Sequence, residues 1–239
     1  MDESDPRTAA KRAAGETAVD RFVTTGMRVG LGTGSTAVWA IRRIGQRLAD
    51  GGLSDVLGVP TSRAAQAEAR SLGIPLTTLD EHPVLDLTVD GADEVSPRLD
   101  LVKGGGGAHL REKIVAQAST RLVIVVDEAK LVPALGSGFP IPVEVVPMAL
   151  RPELGFLEAL GARVTVRTTE EGARFVTDEG NHILDADFGP LAEPVVLLDA
   201  LHSRAGIVEV GLFLDMASYV VVARADGEVD VLERVSPES

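Results

Sequence analysis

A lysine followed by four glycines is the feature of this sequence that points most directly to chemistry. Lys103 precedes an unbroken glycine run at residues 104–107. Each glycine loses much backbone entropy on folding, so four in a row are unfavourable in a segment that only connects two elements. Their N–H groups can surround an anion, with Lys103 as a point charge. A flexible linker is the alternative, but it fits poorly between a strand and a helix, so we predict an anion-binding loop.

A second glycine-rich turn lies nearer the N-terminus, at residues 32–36. Its sequence, Gly-Thr-Gly-Ser-Thr, brings N–H groups and hydroxyls to the start of a predicted helix, where a phosphate or oxyanion is favoured. It is not a dinucleotide fingerprint, since the motif from Gly30 would require glycine at Ser35, and it lacks the Gly-Lys-Ser/Thr of a P-loop. The alternative is a tight strand-to-helix turn without a ligand.

Three acids follow a predicted apolar strand at residues 85–89. Asp90, Asp93 and Glu94 suit hydroxyl binding or proton transfer. A divalent metal would also accept such carboxylates, but no histidine or further acid stands at a recognisable ligand spacing, so no metal site is predicted. A turn in which an aspartate caps a helix is the alternative.

Two more charged residues stand close to these clusters. Glu112 comes nine residues after Lys103, early in a predicted helix, from which its carboxylate could face the glycine loop. By itself, such an acid is more typical of a helix-dipole partner on a solvated face. Lys130 ends the segment Asp-Glu-Ala-Lys after another strand and, taken alone, would be a surface charge. His109 is a weak candidate because it lies near the loop.

Alternating strand and helix patterns predict the element that positions these clusters. The predicted strands are 27–31, 56–59, 75–79, 85–89 and 122–126, and the helices between them include 61–72 and 108–118. Such alternation indicates an α/β fold, a Rossmann-like parallel sheet with helices on both faces. Ligands bind such sheets at the carboxyl ends of the strands, where the polar clusters fall.

The second half of the sequence has a different pattern. Prolines punctuate the chain after Lys130, and a helix at 152–160, a strand at 163–167, a hairpin of 174–177 with 182–185 and a helix at 193–202 follow. We predict a Rossmann-like catalytic domain of residues 1–130, completed by 206–239, and a small α+β domain of residues 131–205. In this prediction the segments 208–213 and 219–231 return to the first sheet.

Composition excludes several classes of function. A net charge of −13 over 239 residues argues against a nucleic-acid partner, which would require a basic face. The absence of cysteine excludes disulfides and thiolate chemistry and is compatible with a cytoplasmic location. The polar N-terminus resembles neither a signal peptide nor a membrane anchor, and no apolar run approaches the roughly 20 residues of a membrane helix.

Taken in order, five motifs resemble those of the ribose-5-phosphate isomerase A family. They read GLGTGSTA, VDGADE, LVKGGGGAHLREKI, VDEAK and FPIPVEVVPM. The resemblance covers nearly the whole chain and implies a homodimer without metal or cofactor. It also implies interconversion of ribose 5-phosphate and ribulose 5-phosphate in the non-oxidative pentose phosphate pathway.

The resemblance also implies roles for individual residues. Glu112 would be the catalytic base, and Lys103, Asp90 and Asp93 would assist it. In the first helix, counting back from Gly26 without gaps places Arg12 at the family's phosphate-binding lysine, with Lys11 beside it. The residues implied to line the substrate are Arg12, Thr33, Gly34, Ser35, Thr36, Asp90, Gly91, Ala92, Asp93, Lys103, Gly104, Gly105, Gly106 and Lys130.

The chemistry of isomerisation fits this set of residues. One carboxylate must remove the proton from C2 and deliver it to C1 through an ene-diolate, for which Glu112 is suited. Lys103 and the glycine loop would stabilise the oxyanion, and Asp90 or Asp93 would assist ring opening. Two rivals are a CoA transferase, which calls for a larger chain, and a non-catalytic sugar-phosphate sensor, which normally carries a DNA-binding segment.

Overall fold

The computed structural model describes residues 5–224 and 226–235, which form two compact units. The first comprises the described residues up to Ala92, Arg111–Lys130 and the described residues from Met216 onward. The second comprises Asp93–Leu110 and Leu131–Asp215. Among the described residues, no helix combines the length and the hydrophobicity needed to cross a membrane.

Helices and strands alternate through most of the chain. The helices are α1 (Pro6–Phe22), α2 (Ala37–Ala49), α3 (Arg63–Ser71), α4 (His109–Gln117), α5 (Leu150–Ala159) and α6 (Pro194–His202). The strands are β1 (Arg28–Leu31), β2 (Leu57–Pro60), β3 (Leu87–Asp90), β4 (Glu94–Val95), β5 (Leu101–Val102), β6 (Leu122–Asp127), β7 (Ile141–Val145), β8 (Arg163–Val166), β9 (His182–Asp187), β10 (Ile207–Val210), β11 (Leu212–Phe213), β12 (Tyr219–Ala223) and β13 (Val229–Glu233).

The first unit is built on a six-stranded sheet in the order β13-β12-β6-β3-β1-β2. All neighbours are parallel except β13, which pairs antiparallel with β12 at one edge. Successive side chains of a strand face opposite sides, so Val29 and Leu31 pack in the cluster that contains α1, α2 and α3 residues. Val115 of α4 packs with Val59 and Leu85 in a second cluster. The predicted α/β class, with helices flanking a mostly parallel sheet, is confirmed.

The direction in which the chain adds strands to the sheet reverses between β1 and β3, and this place is called the switch point. The chain passes from β1 to β2 on one side of β1 and then to β3 on its other side. Loops that leave neighbouring strands in opposite directions open a crevice at their carboxyl ends, where ligands bind in such sheets. The 32–36 turn follows β1 and Asp90 ends β3, so both predicted polar clusters lie at this crevice.

The second unit contains two antiparallel sheets. Four strands pair in the order β10-β7-β9-β8, and β11, β5 and β4 form a smaller sheet. Buried apolar residues of β7, β9 and β10 pack with Leu150 and Leu157 of α5 and Leu201 of α6. The predicted small α+β fold is therefore present, with more of the chain in it than the sequence indicated.

Three sequence predictions about elements are wrong. Residues 75–79 form no strand, and Leu76 makes only an isolated bridge with Gly58 at the sheet edge. Residues 174–177 also form no strand, because β9 pairs with β8 and β7 instead. The segment 208–213 does not return to the first sheet, since β10 pairs with β7 and β11 with β5. The units consequently differ from the predicted domains at 93–110 and 206–215, which belong to the second unit.

Candidate active site

The 32–36 turn is held against the end of β3 by a buried carboxylate. Asp90 Oδ1 accepts hydrogen bonds from the N–H groups of Thr33, at 3.0 Å, and Gly91, at 2.7 Å. A Cβ at Gly32 would lie 2.4 Å from that same Oδ1, so only glycine permits this approach. Gly34 has φ of 108°, a conformation that L side chains rarely adopt. The two glycines are therefore required by the shape of the turn.

Hydroxyl groups join this turn to the neighbouring strand end. Thr33 Oγ1 lies 2.8 Å from Thr61 Oγ1 and 2.7 Å from Ser62 Oγ, both directly after β2. Gly34 and Ser35 are exposed at the start of α2, where the first N–H groups of a helix have no intrahelical partner. The turn thus exposes Gly34 and Ser35 at the end of the helix where an anion is favoured. Thr61 and Ser62 were not predicted, although their place after a parallel strand was a usable signal.

Lys11, and not Arg12, lies beside the glycine turn. Lys11 Nζ is 2.9 Å from Ser35 Oγ. Arg12 bonds instead with Glu16 at 2.8 Å, and its guanidinium lies 5.7 Å from the centroid of the Trp39 ring. Adjacent helical residues point about 100° apart, so only one of the two can face the turn. The position of Lys11 therefore favours it over Arg12 as the residue that would contact a phosphate at this turn.

The three acids after β3 have separate partners. Asp90 belongs to the first unit, as described above. Asp93 Oδ2 accepts the N–H of Gly105 at 2.7 Å within the second unit. Glu94 is buried, and its carboxylate accepts three backbone N–H groups, from Gly136 and Gly138 at 2.6 Å and from Phe139 at 2.9 Å. Glu94 therefore has a structural role, which is to bind the backbone of the 136–139 loop.

A buried lysine directly precedes the glycine loop. Lys103 is 2% exposed, its Nζ lies 5.4 Å from the centroid of the Phe213 ring, and its N–H donates to Gly211 O. Gly104 has φ of 108° and is buried, whereas Gly105 and Gly106 are exposed. The loop therefore places two exposed glycines next to a buried lysine, and anion binding by this loop stays a prediction.

A buried polar network lies under the loop. A Cβ at Gly104 would be 2.8 Å from His109 Nδ1, which shows how closely the ring approaches the loop backbone. His109 Nε2 is 3.9 Å from Glu144 Oε2, and Glu144 Oε1 accepts from Thr177 Oγ1 at 2.8 Å and Asn181 Nδ2 at 2.9 Å. Burial raises the pKa of the Glu144 carboxyl above its ordinary value of 4.5, and the bonds from Asn181 and Thr177 oppose this.

This raised pKa predicts a specific pH dependence of stability. The folded state holds the Glu144 proton more tightly than the unfolded state. The resulting stabilisation is complete below pH 4.5 and is lost as pH rises through the raised pKa. Glu144→Gln keeps an acceptor for Thr177 and Asn181 but cannot ionise. Its melting temperature relative to wild type should therefore rise as the pH increases from 4.5 through the raised pKa of Glu144. Glu158→Gln, at an exposed position, is the control, and a constant difference for Glu144→Gln would contradict the prediction.

Glu112 and Lys113 occupy α4, and both are buried. Each side chain is 4% exposed, so Glu112 is not the solvated dipole partner that a lone acid early in a helix would suggest. Lys130 ends a short 3-10 turn after β6 and is half-buried, at the same carboxyl edge of the sheet as Asp90. Among residues 5–224 and 226–235, no group of three or more acids and histidines could hold a metal ion.

Each unit therefore assembles part of the predicted set. The first brings Lys11, the 32–36 turn and Asp90 together, with Gly91 and Ala92 following β3, and it also holds Glu112 and Lys130. The second brings Asp93 together with Lys103, Gly104, Gly105 and Gly106.

Comparison with known proteins shows the family of this chain. The family model of Ribose 5-phosphate isomerase A (phosphoriboisomerase A) matches residues 57–227. Ribose-5-phosphate isomerase A of Desulfatibacillum aliphaticivorans is 54% identical over 219 residues, covering 92% of this chain and 95% of that protein. A solved ribose 5-phosphate isomerase from Plasmodium falciparum has a TM-score of 0.92 at 36% identity, covering 96% of this chain and 100% of the other. A D-ribose-5-phosphate isomerase in complex with phospho-erythronic acid has a TM-score of 0.90 at 37% identity, covering 94% and 98%. This chain belongs to the ribose 5-phosphate isomerase A family.

Proposed function

We propose that the chain carries out its family's reaction with Glu112 as the base and the 103–106 loop as the oxyanion site. The reaction is the interconversion of ribose 5-phosphate and ribulose 5-phosphate, a step of the pentose phosphate pathway. The observation that carries the site assignment is the switch point. There, the glycine turn, the carboxylate of Asp90 and the ammonium of Lys11 come together at one sheet edge.

The phosphate would bind at the start of α2. The N–H groups at the start of the helix and the helix dipole both favour an anion beside the exposed Gly34 and Ser35, and Lys11 Nζ supplies a positive charge 2.9 Å from Ser35 Oγ. Lys130, at the same edge of the sheet, would provide a second cation. The structurally similar D-ribose-5-phosphate isomerase is in complex with phospho-erythronic acid, a molecule that carries both a phosphate and a carboxylate.

Proton transfer would occur at the other end of the substrate. Burial of Glu112 removes its carboxylate from bulk water, and a single carboxylate can take the C2 proton and return it at C1. Lys103 and the loop N–H groups would stabilise the ene-diolate oxygen as charge develops on it. Asp93, fixed by the Gly105 N–H, would exchange protons with the sugar hydroxyls during ring opening, assisted by Asp90.

We also propose that the chain acts as a homodimer in the cytoplasm. The family resemblance supports the dimer, and a chain without cysteine suits a reducing compartment. Light scattering on the purified protein would give the oligomeric state.

Ribose without its phosphate should be a very poor substrate. Binding energy from the phosphate helps to position the reacting carbons, so its loss should reduce kcat as well as raise KM, by at least about 100-fold in kcat/KM. Steady-state assays of ribose and ribose 5-phosphate measure this difference. Comparable kcat/KM values for the two sugars would exclude residues 34–36 as a phosphate site.

Chelators should leave the activity intact, because every proposed step uses side chains and N–H groups of this chain. The test is turnover of ribose 5-phosphate before and after prolonged incubation with EDTA. Loss of activity that a divalent cation restores would instead assign a metal to Asp90 and Asp93.

A further inference from the structure

We infer that Arg167, oriented by Asp185, is a positioning residue for the isomerase reaction. It holds the peptide carbonyls of the glycine loop so that Asp93 and the loop N–H groups keep their catalytic geometry. The inference rests on the proposed function, because it requires Asp93 and the 103–106 loop to act on the substrate.

The guanidinium of Arg167 joins the loop to a strand. Its Nη1 donates to Gly104 O at 2.6 Å and to Gly105 O at 3.2 Å. Its Nε donates to Asp185 Oδ2 at 2.9 Å, and Nη2 donates to Asp185 Oδ1. The Arg167 side chain is only 12% exposed. One planar group therefore binds a carboxylate along one edge and two carbonyls along another, which an ammonium group cannot do.

The register of the second unit's larger sheet explains how Arg167 reaches its partner. Val166 pairs with Leu184 in the antiparallel β8–β9 ladder, which places Arg167 opposite Ile183. Asp185 lies two residues along β9 from Ile183, so it is on the same face and diagonal to Arg167. The Arg167 guanidinium also lies 5.9 Å from the Phe175 ring centroid. The paired strands therefore hold the guanidinium in its orientation independently of its contacts with the loop.

Through the loop, this contact reaches a residue with a proposed catalytic role. Both backbone polar groups of Gly105 are hydrogen-bonded. Its carbonyl accepts from Arg167 Nη1, and its N–H donates to Asp93 Oδ2 at 2.7 Å. Glycine restricts its own backbone poorly, so a run of four needs external contacts to hold one conformation. Without the guanidinium, the Gly104 and Gly105 peptides can rotate, and the N–H that orients Asp93 moves with them.

A second arginine, at the start of β8, allows a controlled test of Arg167, which directly follows that strand. Arg163 forms an ion pair with Asp187 across β8 and β9, but its side chain is 85% exposed and its contact is with that carboxylate rather than with the loop. Arg167→Lys and Arg163→Lys therefore make the same chemical change on the same sheet, with and without the loop contact.

The experiment measures kcat and KM for ribose 5-phosphate, the inhibition constants of phospho-erythronic acid and inorganic phosphate, and melting temperatures. For Arg167→Lys we expect kcat to fall at least about 10-fold while KM changes less than about 3-fold. Phospho-erythronic acid should bind more weakly, because its carboxylate would face the loop, whereas inorganic phosphate should bind as in wild type. Arg163→Lys should resemble wild type in every measurement.

Chemical rescue separates positioning from general stability. Added guanidinium should restore part of the kcat of Arg167→Ala, while methylammonium at the same concentration should not. The inference is overturned if the kcat of Arg167→Lys stays within about 2-fold of wild type. It is also overturned if the fall in kcat is fully explained by the fraction of Arg167→Lys protein that is unfolded. It is also overturned if Arg163→Lys loses as much activity. Wild-type turnover and the Glu112→Gln variant test the proposed function independently of these outcomes.

Discussion

Replacing Glu112 with glutamine should lower kcat for ribose 5-phosphate by at least about 100-fold, because the amide cannot accept the C2 proton. Glutamine keeps the size and much of the hydrogen-bonding capacity of glutamate, so the buried position on α4 should still fold. KM should change much less than kcat, since the proposed phosphate contacts are untouched. Coupled assays at saturating substrate give the turnover, and NMR in D₂O gives the exchange of the C2 proton.

An exposed glutamate on another helix provides the control. Glu158→Gln makes the same change on α5 at a solvated position and should leave turnover unaltered. Near-normal turnover or C2 exchange in Glu112→Gln would show that another group is the base. In that case the whole assignment of proton transfer would have to be abandoned.

Replacing Lys103 with arginine should lower kcat/KM by about 100-fold or more, an effect of the size seen when one oxyanion donor is lost. A compact ammonium group can approach a small oxyanion between glycine N–H groups, whereas a planar guanidinium is wider and spreads its charge. Lys103 is buried beside Phe213, so the larger head must displace the neighbouring loop. Because Gly105 and Gly106 are exposed, the loop can move outward and the fold should survive.

The sequence suggests Lys113→Arg as the control, since adjacent helical residues point about 100° apart. The structure shows that this control is unsuitable, because Lys113 is as buried as Glu112 and a larger head would disturb α4. Lys103→Gln is the better comparison, because it removes the charge without adding bulk. Both variants should lose activity while their melting temperatures stay close to wild type. An active Lys103→Arg would make Lys103 a general positive charge and refute the oxyanion assignment.

Some features of the site follow from local sequence alone. Glycine at positions 34 and 104 has a local cause, namely a positive φ. A parallel sheet was predictable because its strands, buried on both faces, read as continuous apolar runs such as residues 122–126. Because ligand-binding loops follow the carboxyl ends of such strands, the 32–36 turn and Asp90 could be expected at the same edge of the sheet.

Other features depend on pairing between distant segments, which local patterns do not encode. The partner of β10 is β7, some 60 residues earlier, so the sequence could not assign 206–215 to the second unit. Glu94 looked like a third site acid, yet it holds the 136–139 loop through three N–H groups. The rotational orientation of α1, which places Lys11 and not Arg12 next to Ser35, is known only from the fold.

The sequence by itself determined the family, the parallel sheet and the polar clusters, because each is written in contiguous residues whose chemistry is local. Tertiary structure decided which members of those clusters contact one another. Asp90 binds the 32–36 turn, Asp93 binds the glycine loop, and Arg167, directly after β8, bonds with Gly104 although the two are more than 60 residues apart in sequence. The physical reason is that a hydrogen bond requires two groups within about 3 Å, and only the folded chain brings groups so distant in sequence that close.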